Sequence, residues 1–209
     1  MDSTVFIVDD DPALRDALCL LLGLHGYRTA VFANAESFLA AWRADWRGCV
    51  LIDIRMRGMD GLSLQQTLLD RTSTLPAIVI TGHGDTASAR AAFRAQAVDF
   101  LEKPLDETRL LAAIEEALAR HQSAHRQRQH NEQIVARLAL LTPREREIME
   151  LVVAGWHNRE VAAQLTISVR TVEVHKARMM SKLGAENIPQ LVRMSLDLAA
   201  PNPGGDMPS

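Results

Sequence analysis

The 209 residues carry 47% hydrophobic and 23% charged side chains and a net charge of −3 at pH 7, the ordinary balance of a globular chain. No apolar run reaches the ~18 residues of a membrane span, and Met1-Asp2-Ser3-Thr4 leads straight into a strand-like run, so neither a spanning helix nor a signal peptide is expected. Residues 1–120 hold 12 basic and 17 acidic side chains, net −5, and residues 121–209 hold 11 and 9, net +2, which predicts two domains with different partners.

Thr4-Val5-Phe6-Ile7-Val8 reads as a first strand, ending in Asp9-Asp10-Asp11. Asp11 is placed to cap a helix with Pro12 at its first position. Leu14, Leu18, Leu21 and Leu22 then recur at helical spacing up to Gly26. Arg28 to Phe32 is a short second strand, and Asn34 caps a short helix carrying Phe38 and Leu39. Val50-Leu51-Ile52-Asp53 is apolar without alternation, as a strand buried on both faces is, and it ends on a carboxylate. A polar, Gly-containing loop follows, then a helix over 62–71. Pro76 to Thr81 reads as a fourth strand, with a fourth helix after Gly82-His83-Gly84-Asp85. Val98 to Glu102 is a fifth strand before Lys103-Pro104, and Asp106 opens a helix with Leu110, Leu111, Ile114 and Leu118 inward. Cys19 and Cys49 fall inside apolar patterns and are expected as reduced core residues of a cytoplasmic protein.

Five strand–helix units imply an α/β doubly wound, five-stranded parallel sheet. Open sheets of this kind bind ligands at the carboxyl ends of their strands. Asp9, Asp10, Asp53, Thr81 and Lys103 all fall there. Carboxylates gathered at one edge repel one another, so a divalent cation is expected between them, and oxygen-only ligands suit Mg²⁺ (or Mn²⁺). With Lys103 and the Thr81 hydroxyl beside it, Asp53 is equipped to accept a phosphoryl group.

Ile7-Val8-Asp9-Asp10-Asp11, Leu51-Ile52-Asp53-Ile54-Arg55-Met56, Ile80-Thr81-Gly82-His83-Gly84-Asp85 and Val98-Asp99-Phe100-Leu101-Glu102-Lys103-Pro104 occur in order at matching spacings. On them, residues 1–120 resemble the flavodoxin-like receiver domain of two-component response regulators, of the FixJ type. The resemblance implies that Asp53 takes phosphate from a sensor histidine kinase. It implies a metal on Asp10, Asp53 and the backbone carbonyl of Arg55, with Asp9 helping. It also implies that Thr81 and Phe100 relay the switch and that Lys103-Pro104 is cis. Two residues depart from the family pattern: Arg57 stands where Pro is usual, and Gln96 where Gly is usual.

Residues 121–138 are polar, without Gly or Pro, and are expected to form a helical linker, and the stripe Ile134, Leu138 and Leu141 at and just past its end leaves room for a two-helix coiled-coil contact. Thr142-Pro143-Arg144-Glu145 is a capping box, and Asn158 is placed to cap a short helix. After Thr166-Ile167, Ser168 caps a longer helix that stops at Gly184. A short helix, a tight turn and a longer helix form the helix-turn-helix pattern, which makes residues 139–200 an all-α DNA-binding domain. On the longer helix Val172, His175, Met179 and Leu183 are expected inward. Arg170, Glu173, Val174, Ala177 and Ser181 lie outward, flanked by Lys176, Arg178 and Lys182 for phosphates, and Thr171 and His175 are counted with them as DNA-binding candidates. Trp156 is read as a packing residue. Residues 201–209 read as a disordered tail.

Leu141 to Glu147, Asn158 to Ala162 and Ser168 to Lys176 resemble the LuxR/NarL-type DNA-binding domain. The two resemblances together imply a phosphorylation-gated transcription regulator, not an enzyme, with promoter DNA and RNA polymerase as partners and a homodimer formed on phosphorylation. They imply no membrane partner. The alternatives are a haloacid-dehalogenase-like phosphohydrolase built on Asp9-Asp10-Asp11, a regulator sensing a small ligand, and a receiver that never takes phosphate. The first leaves Asp53 unexplained, and about 120 residues leave no substrate cap.

Overall fold

The structure is a computed structural model and describes residues 3–82 and 97–199. The expected fourth helix, His83, Gln96 and the tail lie outside the described residues. The chain divides into two compact units, Met1–His125 and Arg126–Ser209.

In the first unit the strands are β1 (Thr4–Val8), β2 (Arg28–Phe32), β3 (Gly48–Asp53), β4 (Ala77–Thr81) and β5 (Asp99–Glu102). They form one sheet in the order β2-β1-β3-β4-β5, and every neighbouring pair is parallel. Its helices are α1 (Pro12–Leu24), α2 (Ala35–Ala41), α3 (Gly61–Asp70) and the start of α4 (Glu107–Ala139). Successive residues of a strand face opposite sides of a sheet. Val5, Ile7, Leu51, Ile78 and Ile80 accordingly meet Leu18, Leu22, Leu110 and Ile114 in one buried cluster. Phe6, Val8, Val50 and Ile52 meet Phe38, Leu64 and Leu68 in another. Both faces are covered, so β3 is buried at all six positions, which is why its sequence shows no alternation. The fourth strand begins one residue later than expected: Pro76 has no N–H to donate, although its carbonyl accepts from Val50 N–H at 3.0 Å. Cys19 and Cys49 are both free, with Cys49 buried and its thiol pushed up to about 12 by that burial.

In the second unit α4 ends, followed by α5 (Pro143–Val153), α6 (Asn158–Gln164), α7 (Val169–Leu183) and α8 (Ile188–Ala199). Residues 121–138 are thus helix throughout, inside the 33-residue α4. Ile148, Val152, Val161, Val172, Met179, Leu183 and Leu191 form one buried core. Leu138 and Leu141, expected to serve a coiled coil, belong to this core instead, and Ile134 is buried too. The Thr142 capping box is present, and Ser168 caps α7 by accepting from Thr171 N–H at 3.0 Å. Gly184 closes α7 in the left-handed conformation, φ 66°, where a side chain would be strained. The cap of α6 is His157, not Asn158: Glu160, three residues on, accepts the His157 N–H at 2.6 Å and fixes the helix start there. Trp156, expected to pack, is 40% exposed.

Gly61 brings the start of α3 against the end of β3. A Cβ on it would lie 2.2 Å from the Asp53 carbonyl oxygen and 2.8 Å from an Ile52 methyl, and main chain cannot yield as a flexible side chain can. Gly61→Ala should therefore cost about 1–3 kcal/mol in chemical denaturation of the full chain. Unchanged stability would show that the two elements separate freely.

Candidate functional site

The strand order brings the ends of β1, β3 and β4 side by side, with β5 next to β4. Asp9 and Asp10 follow β1, Asp53 ends β3, Thr81 ends β4 and Lys103 follows β5. One carboxylate oxygen from each of Asp9, Asp10 and Asp53 lies within 4.8 Å of the others, the one group of three such ligands among the described residues. Asp9 and Asp53 are buried at 2% and 5% exposure, and Asp10 is half-buried.

Lys103 Nζ donates to Asp9 Oδ2 at 3.0 Å and stands 3.3 Å from Asp53 Oδ1. The second contact is an ion pair without hydrogen-bond alignment, since Asp53 Oδ1 is buried and accepts no hydrogen bond. Asp9 Oδ1 accepts from Asp11 N–H at 2.8 Å, and Arg15 Nη1 donates to the Asp9 carbonyl at 2.6 Å. Asp11 also caps α1 through Ala13 N–H at 2.9 Å. Thr81 is buried, and its carbonyl accepts from Lys103 N–H at 2.7 Å, which fixes the lysine's strand end to the threonine's. The Lys103-Pro104 bond is cis. Phe100 is half-buried and packs against Ile54, Val79 and Ala97. The Arg55 side chain is exposed.

Burial, and then the charge of Asp9, push the Asp53 carboxyl above the ordinary aspartate range, against the pull of Lys103. Burial works to lower the Lys103 amine, but the hydrogen bond to Asp9 and the charges of Asp53 and Asp9 together raise it. Three acidic groups against Lys103 and an exposed Arg57 guanidinium 3.7 Å from Asp10 leave the cluster short of positive charge. Together with the orphaned Asp53 oxygen, this donor set fits a small, hard divalent cation.

Glu36, which the sequence did not point to, and Arg57, which it did, flank the loop after Asp53. Glu36, in the first turn of α2, accepts from Met59 N–H at 3.0 Å, and that bond holds its carboxyl below the ordinary glutamate range. Arg57 reaches Asp10. No periodic or spacing signal links positions 36 and 59; the sheet order alone brings them together.

The second site is the outward side of α7. Val172, Met179 and Leu183 are buried and His175 is half-buried. Arg170, Glu173, Val174, Ala177, Arg178 and Ser181 are exposed, while Thr171 and Lys176 are half-buried. Lys176 Nζ lies 3.4 Å from Asn158 Oδ1, and Arg170 Nη1 lies 3.6 Å from Glu173. Lys182 corrects its assignment as a phosphate contact. Its Nζ is 2.6 Å from the buried Glu145 carboxylate and 3.1 Å from the Leu140 carbonyl, so its charge is spent inside the unit. The hydrogen bond from Lys182, helped by the Thr142 N–H, holds Glu145 down at about 2.

The sign of the Asp53 shift gives a stability test. A carboxyl whose folded pKa is raised favours folding most below its unfolded pKa, and that contribution is lost as pH rises through the folded value. Asp53→Asn should therefore unfold at a higher temperature than wild type at pH 7 without added metal, by about 4 °C per kcal/mol relieved in a unit of this size. The gap should close as pH falls toward 4. Differential scanning calorimetry checks it; a variant less stable at pH 7 would show that the cluster is not under charge strain.

Two family descriptions match the chain. "Response regulator receiver domain" matches residues 5–115, and "Bacterial regulatory proteins, luxR family" matches residues 139–195. The chain is similar to the transcriptional regulatory protein FixJ of Rhizobium meliloti, at 44% identity over 93% of this chain and 96% of that one. It is also similar to FixJ of Bradyrhizobium diazoefficiens, at 40% identity over 92% and 94%. Among solved structures, response regulator StyR aligns with TM-score 0.85 and 35% identity over 94% of this chain and 99% of that one. No described helix is long and apolar enough to cross a membrane.

Proposed function

Since the chain belongs to the response regulators that join a receiver domain to a LuxR-type DNA-binding domain and control transcription, we propose that Asp53 is its phosphoacceptor and the outward side of α7 its DNA reader. The observation that carries the first half is Lys103 Nζ standing between Asp9 and Asp53, at 3.0 and 3.3 Å. An ammonium there pairs with the attacking carboxylate before transfer and with a phosphoryl oxygen after it. The Thr81 hydroxyl, at the end of the next strand, is the second donor to that group. Asp10, Asp53 and the Arg55 carbonyl, with Asp9, would hold Mg²⁺ or Mn²⁺, which neutralises charge on the phosphoryl oxygens when bound. Asp53 supplies the attacking oxygen, and the leaving group departs in line on the opposite side of phosphorus.

The donor in this reading is a sensor histidine kinase in the cytoplasm. Thr81 moves toward the phosphoryl group, and Phe100, free of a full core on one side, turns into the space that opens. The altered face lets two copies pair, and the pair presents two DNA-reading units to promoter DNA and RNA polymerase. The receiver spans 1–120 in this scheme, the linker 121–138 and the DNA-binding domain 139–200. The alternative of a phosphohydrolase finds no support in relatives that are transcriptional regulators.

Acetyl phosphate with Mg²⁺ should add one phosphoryl group to the full chain, on Asp53. Asp53→Asn should gain none, and Lys103→Ala should gain it far more slowly. Mass spectrometry placing the label on Asp9 or Asp10 would overturn the assignment.

On α7, Glu173, Val174 and Ala177 face base edges, while Arg170, Lys176 and Arg178 take phosphates, with Thr171 and His175 at the margin. Lys176→Ala should weaken binding to every sequence and lower the salt slope by roughly 0.9. Val174→Ala should weaken binding by an amount that depends on sequence and leave the slope alone. Titrations of both variants on an operator and on unrelated DNA at several salt concentrations check this; identical behaviour of the two would refute the division of roles.

A further inference from the structure

Arg57 meets the acidic cluster in two ways. Its main-chain N–H donates to Asp10 Oδ2 at 3.3 Å, and its Nε stands 3.7 Å from the same oxygen. The first contact exists because position 57 is not proline, which has no N–H to donate. The side chain is 95% exposed, so no packed wall holds the guanidinium near Asp10; the attraction between the two charges does. The loop that carries it is pinned on its far side, where Met59 N–H donates to Glu36 at 3.0 Å and Gly58 turns the chain at φ 83°. The three carboxylates are thus divided between two cations of the chain itself. Lys103 serves Asp9 and Asp53, and Arg57 serves Asp10.

We infer that Arg57 is a resident competitor of the divalent cation at Asp10 and sets the concentration at which the cluster fills. The inference rests on reading Asp9, Asp10 and Asp53 as a cation site. A divalent ion that takes Asp10 as a ligand displaces the guanidinium from that oxygen. It then shares its surroundings with a charge of the same sign. Each effect is modest at an exposed position, because water and salt screen it. Their sum weakens cation binding without preventing it. Lys103 does not act this way: its amine is directed at Asp9 and Asp53 and, in the proposed transfer, is needed there.

Calorimetric titration of Mg²⁺ into the full-length protein tests this with three variants. Arg57→Ala removes the charge and keeps the N–H, Arg57→Pro removes both, and Arg57→Lys keeps a charge. The Ala and Pro variants should bind Mg²⁺ roughly 1.5-fold to 5-fold more tightly than wild type, and the Lys variant close to wild type. The differences should shrink toward about 1 M salt, where the screening length is about 3 Å. Equal or weaker binding by the Ala and Pro variants at low salt would overturn the inference while leaving the cation site standing. If wild type and variants all failed to bind Mg²⁺, yet Asp53 still accepted a phosphoryl group, the cation reading would fall and this inference with it.

Discussion

The receiver unit depends on one electrostatic constraint: three carboxylates at neighbouring strand ends, two of them buried, with a single lysine between them. No local sequence choice creates this. The parallel order β2-β1-β3-β4-β5 does, by putting the last residues of β1 and β3 side by side and the end of β5 one strand further on. Two apolar layers cover the sheet and keep water from Asp9 and Asp53, so their mutual repulsion is felt at low dielectric. Lys103 offsets part of it and leaves one Asp53 oxygen without a hydrogen bond. In the proposed transfer such a site gains from an arriving cation and from a phosphoryl group that brings its own hydrogen-bond acceptors to Lys103.

The second unit handles buried charge in the opposite manner. Glu145 is buried but paired: the Thr142 N–H at 2.9 Å and Lys182 Nζ at 2.6 Å both donate to its Oε2. That pair joins the first turn of α5 to the last turn of α7. Arg137, near the end of α4, donates to the Leu183 carbonyl at 3.0 Å, beside the glycine that ends α7. The C-terminal end of α7 is therefore held from two elements, while its outer side stays free of packing. A satisfied charge pair makes a rigid support.

Much of this was legible in the residues, and the reasons differ from element to element. The central strands β3 and β4 were readable because both their faces are covered, which turns Val50-Leu51-Ile52 and Ala77-Ile78-Val79-Ile80 into unbroken apolar runs. Asp9, Asp10, Asp53, Thr81 and Lys103 were readable because each sits where such a run stops. The capping residues Asp11, Asn34, Thr142 and Ser168 were readable because capping is local chemistry. What stayed hidden was pairing across distance. Lys182 looked like a phosphate contact since its helix face is basic; only the fold shows Glu145 beside it. Leu138 and Leu141 looked like a coiled-coil seam, because a stripe of three apolar residues does not say which surface covers it. Asn158 looked like a cap because asparagine often is one, and the reach of Glu160 back to His157 decided otherwise.

The Asp53 cluster is short of positive charge and gains most when the proposed cation and phosphoryl group arrive together. The most direct measurement is thermal unfolding of the full chain with Mg²⁺ and beryllofluoride, a phosphoryl mimic, added singly and jointly. The melting temperature of the wild-type receiver unit should rise, most with both present, and Asp53→Asn should show no joint effect. An equal rise in the variant, or none in the wild type, would contradict it.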